Sequence, residues 1–204
     1  MKNATIKFRK NYAAGYTLLE LMVVLSIVAI LTLTVVPGMQ DTMRRNAKDG
    51  TMLDLMSAIA LARSEAVTQS RSVSICRSAN HAACAITGGA DWSEGWLVFT
   101  DAGAAGAVDG TDTLLKAGNA ANTLSIITLK TFLNNNFPLD FLQFDRDGFL
   151  KNSSTGAYLK FCDVSNDTAN ARAVLVSNTG RTIMSTSDVD GVHNNLAGAN
   201  LVCP

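Results

Sequence analysis

Between Leu21 and Val36 the chain runs sixteen residues, LMVVLSIVAILTLTVV, without a charge. Started at Tyr16 the segment is 21 residues long, with Glu20 its one charged side chain. About 20 apolar helical residues cross the hydrocarbon core of a bilayer, so this segment has the length of a membrane helix. Ser26, Thr32 and Thr34 can return their hydroxyls to the helix backbone and need not spoil insertion. Before the run stand Lys2, Lys7, Arg9 and Lys10 with no acid, which predicts a cytoplasmic N-terminus. Arg44, Arg45 and Lys48 beyond the run moderate that bias.

An ordinary secretory signal has a shorter apolar stretch, with the small-residue cleavage site after it. Here the small residues Ala13-Ala14-Gly15 come before the run. Cleavage there would remove the basic leader and keep the hydrophobic helix. On length alone a simple single-span anchor fits equally well. Glu20 separates the two readings, because a carboxylate in a membrane segment is costly and needs a cationic partner. A cut after Gly15 gives Tyr16 a free α-amine and makes Glu20 the fifth residue, about one helical turn away.

The string Gly15-Tyr16-Thr17-Leu18-Leu19-Glu20, followed by LMVVLSIVAILTLTVVP, resembles the class III signal of type IV pilins and type II secretion pseudopilins. That resemblance implies cleavage after Gly15 by a prepilin peptidase, which is also the N-methyltransferase for the new N-terminal Tyr16. It implies that Glu20 pairs with the amine of a neighbouring subunit during assembly. Pro37 sits where family members often carry a helix-bending proline. The first mature residue of the family is usually Phe, so Tyr16 is a conservative departure.

Past Pro37 the helical period continues. Met52, Leu55, Met56, Ile59, Ala62, Ala66 and Val67 recur at steps of three and four, a core-facing stripe. Helix is expected from residue 16 to about 69, roughly 80 Å, with weak points at Pro37-Gly38 and Gly50. After Ser70 the period changes to that of strands. Residues 72–76, 95–99, 124–129, 141–144, 158–162 and 173–176 read as short strands. Asp145-Arg146-Asp147-Gly148 and Asn178-Thr179-Gly180 mark turns. Residues 101–112 and the polar tail 185–204 read as loops.

Leu61-Ala62-Arg63-Ser64-Glu65-Ala66, Gly95-Trp96-Leu97-Val98-Phe99 and Val176-Ser177-Asn178-Thr179-Gly180-Arg181 together resemble the GspH/FimT-like minor pilins. The resemblance implies an α+β fold: a long N-terminal helix and a head of two antiparallel β-sheets. The expected organisation is a cleaved leader at 1–15, a hydrophobic transmembrane and assembly helix at 16–43, and a periplasmic head at 44–204.

Four cysteines allow three pairings. Cys76 with Cys84 would close a small loop, and Cys162 with Cys203 would pin the tail to a strand; spacing and topology prefer this combination. A four-cysteine zinc site lacks any C-x-x-C pair. Asp145 and Asp147 resemble the start of a calcium loop without its remaining ligands, and Asp101, Asp109 and Asp112 are the other acidic candidates. Turn-forming, solvated aspartates are the plainer reading. His81 and His193 stand in polar surroundings with no nucleophile motif, so no catalytic residue, metal or cofactor is expected.

The chain holds 17 basic and 17 acidic side chains, a net charge of zero. That zero joins a +4 leader to a −4 remainder, and residues 91–204 carry seven bases against twelve acids. Such a balance speaks against a protein that coats nucleic acid. Some GspH/FimT-like proteins bind DNA near a C-terminal Gly-Arg-x-Arg. Here Gly180-Arg181 is followed by Thr182-Ile183, which leaves Arg181 as the candidate contact. The resulting expectation is a minor pilin of a type IV pilus in the bacterial inner membrane, partnered by other major and minor pilins. A minor pseudopilin of type II secretion and a DNA-receptor pilin are the alternatives.

Overall fold

The computed structural model describes residues 15–85, 91–119, 125–132, 139–163, 168, 171–187, 193–194, 198 and 200–203. The side chains of 33–38, 40, 41, 44, 125 and 163 lie outside that description. Most of the expected leader, 1–14, does too. The chain divides into two compact units at Met43/Arg44.

Helix α1 (Leu18–Gln69) begins at a sequence signal, Thr17-Leu18-Leu19-Glu20, with the S/T-x-x-E pattern of a capping box. Thr17 Oγ1 accepts the Glu20 N–H at 3.2 Å, and Thr17 O accepts the Leu21 N–H. Glu20 lies in the first turn, where the helix dipole favours an anion. Ser26 Oγ donates to Val23 O and Thr32 Oγ1 to Ala29 O. These bonds satisfy the two hydroxyls locally. Pro37 and Gly50 both remain inside α1.

In the second unit α1 contributes Met52, Leu55, Ala58, Ile59, Ala62 and Ala66 to one buried cluster. The expected stripe thus gains Ala58. It loses Val67, which is 48% exposed and lies at the edge of the core against the Gly148 turn. Eight strands follow: β1 (Val73–Arg77), β2 (Trp96–Thr100), β3 (Leu114–Gly118), β4 (Ser125–Thr131), β5 (Phe141–Phe144), β6 (Ala157–Asp163), β7 (Arg172–Val176) and β8 (Thr182–Met184). They form two four-stranded sheets, β3-β2-β1-β5 and β4-β6-β7-β8, in which every pairing is antiparallel. The fold is α+β, with the N-terminal helix and the two-sheet head.

Residue parity sorts the strands into layers, since alternate side chains take opposite faces. Val73, Ile75, Trp96, Val98, Leu142 and Phe144 of the first sheet join the helix in the main core. Leu129, Leu159, Phe161, Val174 and Val176 of the second sheet join the same core. A fully buried side chain of this kind contributes about 1.5–3 kcal/mol. The opposite faces are covered as well. Tyr158, Cys162, Ala173 and Leu175 cluster with Leu201 and Cys203 of the tail. Cys76, Leu97 and Phe99 cluster with Cys84 and with Val108 of the 101–112 loop.

Two strands, β3 and β8, are absent from the sequence expectation. β3 is an edge strand of mostly half-exposed residues ending in glycine. β8 is a three-residue edge strand with Ile183 and Met184 each 38% exposed. Neither shows the buried alternation by which the other strands are legible. The tail is mostly irregular, but isolated bridges join Ser187 to His193 and Asn194 to Asn200.

Candidate functional site

At the N-terminal end, Gly15 has no atom within 4 Å of where a Cβ would stand. Tyr16 is 86% exposed, and Glu20 is exposed in the first helical turn. Every described apolar side chain from Tyr16 to Leu31 is exposed on all sides of the helix. A helix apolar all round is one that has to be buried by other helices or by lipid. Among the described residues no helix is long and apolar enough to cross a membrane. The expected span continues through 33–38, and both Thr34 and the side chain of Pro37 fall in that stretch outside the described residues.

In the head, three separate sequence motifs meet. Arg63 of α1 donates its Nε–H to Gly148 O at 3.2 Å, tying the helix to the turn after β5. That turn is closed by the Asp145 carboxylate, whose Oδ1 accepts the Asp147 and Phe149 amides. Leu150 N–H donates to Asn178 O, which joins it to the β7–β8 turn. In the latter, Ser177 Oγ accepts the Arg181 N–H, and Gly180 takes φ +75°. A Cβ on Gly180 would meet Gly148 O at 2.5 Å and Arg63 Cδ at 2.7 Å. The Leu61–Ala66 and Val176–Arg181 motifs are therefore two sides of one packing contact, built around the stem of Arg63.

Beside that contact lies a groove of about 490 Å³, lined by Arg63, Ser64 and Thr68 of α1 and by Gly180, Arg181 and Thr182 of the turn. Both arginines are exposed. Arg181 stands alone in its turn: Thr182 and Ile183 take the following two places in β8.

The four cysteines form two bridges, Cys76–Cys84 and Cys162–Cys203, with Cα separations of 5.7 and 5.8 Å. No thiolate is left to bind zinc. The second bridge fastens the tail to the outward face of β6. Beside it Lys160 Nζ donates to Val202 O at 2.5 Å. Burial pushes the Lys160 ammonium below its ordinary pKa, and the neighbouring Lys130 charge adds to the shift.

Asp101, Asp109 and Asp112 spend their carboxylates on hydrogen bonds within the head. Asp101 is buried, and its Oδ2 accepts from Ser74 Oγ, Gln143 Nε2 and the Gly106 amide. Asp109 accepts from Thr111 and Ala104, which holds its carboxyl below the ordinary range. Asp112 accepts the amides of Ala102 and Asp109. Among the described residues no group of three or more His, Cys, Asp or Glu is placed to hold a metal ion.

Nor are the histidines plain surface residues. His81, at φ +56°, places Nε2 2.9 Å from Gly118 O. His193 Nδ1 lies 2.9 Å from both Ser185 Oγ and Ser185 O. Ser185 Oγ already takes the Ala173 amide, so this serine–histidine pair ties the tail to the sheet. Burial lowers the His193 pKa and the Arg172 charge lowers it further, against an opposing bond to Ser185 O.

Comparison with known proteins matches these features. Residues 10–36 match the prokaryotic N-terminal methylation motif. Residues 51–180 match the family described as type II transport protein GspH. No curated protein matches the chain significantly. Two crystal forms of the type IV minor pilin FimU of Pseudomonas aeruginosa share the fold, both at 22% identity. The first has a TM-score of 0.53 and covers 70% of this chain and 90% of that one. The second has a TM-score of 0.50, with 68% and 92% covered. The minor pseudopilin EpsH of the type 2 secretion system of Vibrio cholerae is more distant, at 10% identity and a TM-score of 0.44, with 68% and 94% covered. With the family match spanning more than half its length and the methylation motif at its head, the chain belongs to the GspH family, the GspH/FimT-like minor pilins and pseudopilins.

Proposed function

We propose that the chain is a minor pilin of a type IV pilus, inserted through its N-terminal helix into the tip or priming complex and supporting assembly. The observation that carries this reading is the union, in one chain, of the methylation motif at 10–36 and the GspH head at 51–180. The precursor is held in the inner membrane with its head in the periplasm. A prepilin peptidase cuts it after Gly15 and methylates the Tyr16 amine.

Thr17 remains after that cut, so the helix keeps its cap. The apolar helix then leaves the bilayer for a bundle of similar helices. There, Glu20 pairs with the α-amine of a neighbour, which offsets the cost of burying either charge alone. The role is structural and calls for no cofactor. The two bridged cysteine pairs suit a subunit carried outside the reducing cytoplasm.

Replacing Glu20 with Ala should leave cleavage intact and stop incorporation; sheared filaments that contain the variant at normal level would contradict the assembly role.

The second reading, a minor pseudopilin of type II secretion, is favoured by the description of the matching family. A deletion strain separates the two: loss of surface pili supports the first, loss of exoprotein secretion with normal piliation the second. A DNA-receptor role rests on Arg181 alone, in a chain whose residues 91–204 carry seven bases and twelve acids.

A further inference from the structure

The groove beside Arg63 has a chemistry that assembly through the N-terminal helix does not use. Its α1 wall presents Arg63, Ser64 and Thr68, with the apolar Ala60 and Val67 between them, on the flank of the helix beside the core stripe. Its other wall is the β7–β8 turn, with Arg181 and Thr182. Arg63 is pre-set: its stem lies against Gly180 and its Nε–H is held by Gly148 O. One of its five N–H donors is thereby used. Among the described residues neither the rest of that guanidinium nor the Arg181 guanidinium has an ion-pair or hydrogen-bond partner. Two guanidiniums with three flanking hydroxyls line a recess of about 490 Å³ that has no acidic side chain among its lining residues.

We propose that this groove docks an acidic side chain of a neighbouring protein subunit, an interaction separate from that of Glu20 and the N-terminal helix. A planar guanidinium held at Nε offers its remaining N–H groups to a carboxylate as a fork. The recess is a local cationic patch on a head that is acidic beyond residue 90, so its complement is an anionic group. A nucleic-acid backbone needs a row of cations along its path; Thr182 and Ile183 continue from Arg181 instead. The inference rests on the proposed assembly of this chain beside other subunits.

The test uses the full-length chain in cells that build the filament, with the photocrosslinker p-benzoylphenylalanine at Thr68. The expected result is a cross-link to another filament subunit that falls about tenfold in Arg181→Glu and is kept in Arg181→Lys. Arg181 is the residue to change, because its guanidinium holds nothing in the head together, whereas Arg63→Ala would loosen the turn contact. In parallel, a short duplex DNA is titrated onto the detergent-solubilised full chain. A cross-link insensitive to Arg181→Glu, or none in the wild type, overturns the proposal. So does duplex binding that Arg181→Glu abolishes, which would identify the anion as nucleic acid. Cleavage after Gly15 and Glu20-dependent incorporation are scored on the same cells: if both persist while the cross-link ignores Arg181, the docking site fails and the proposed function stands.

Discussion

Two residues show how tightly the head is specified. Gly180 occupies a left-handed conformation at φ +75° with Gly148 O and the Arg63 stem where a side chain would stand. Ala there is strained in backbone and in space, at a cost of about 1–3 kcal/mol. Thermal unfolding of the Gly180→Ala chain should shift down by roughly 2–12 °C, and an unchanged midpoint would contradict the packing contact. His193 gives a pH dependence. Its folded pKa lies below the ordinary 6.5, first from burial and then from Arg172. The fold therefore favours the neutral ring, and the unfolded chain takes up the proton more readily. The stability this provides is present above about pH 6.5 and is lost as pH falls from there through the lowered folded value. Hydrogen exchange at Ser185 should quicken over that window, and His193→Gln should remove the dependence. The sequence shows Gly180 and Arg63 as parts of two separate motifs. It does not show that they touch, because their contact spans more than a hundred residues of chain.

At the scale of elements, each sheet buries one face in the common core and covers the other with a segment fastened by a disulfide. The 41-residue separation of Cys162–Cys203 closes the longer loop and holds Leu201 over Tyr158 and Leu175. Replacing both cysteines by Ser should cost about 2–4 kcal/mol in chemical denaturation. Proteolysis should then clip the tail first; equal stability would mean that Lys160 and the apolar contacts hold it unaided. The helix, six of the strands and the turns at Asp145 and Asn178 are legible because period, β-branched residues and Gly or Asp turn chemistry agree there. β3 and β8 are not, since an edge strand needs neither two buried faces nor a long run. The Thr17 cap of α1 is not read from the sequence, because the apolar run that follows dominates that stretch. The capping group is the Thr17 hydroxyl, which takes the Glu20 backbone amide, so the Glu20 carboxylate is left for a role between subunits.

For the whole molecule, the two units divide the work. One offers an apolar helix with exposed side chains and a carboxylate near its start; the other is a head with a complete core of its own. The zero net charge is the sum of +4 in residues 1–15 and −4 in the remainder, so the proposed processing would convert a neutral precursor into a mildly acidic subunit. The central claim is that this conversion happens at Gly15, and intact-mass spectrometry of the membrane-extracted protein tests it most directly. The account predicts a chain that begins at Tyr16 and carries one added methyl on its N-terminal amine. A chain that retains Lys2 through Gly15 would contradict it.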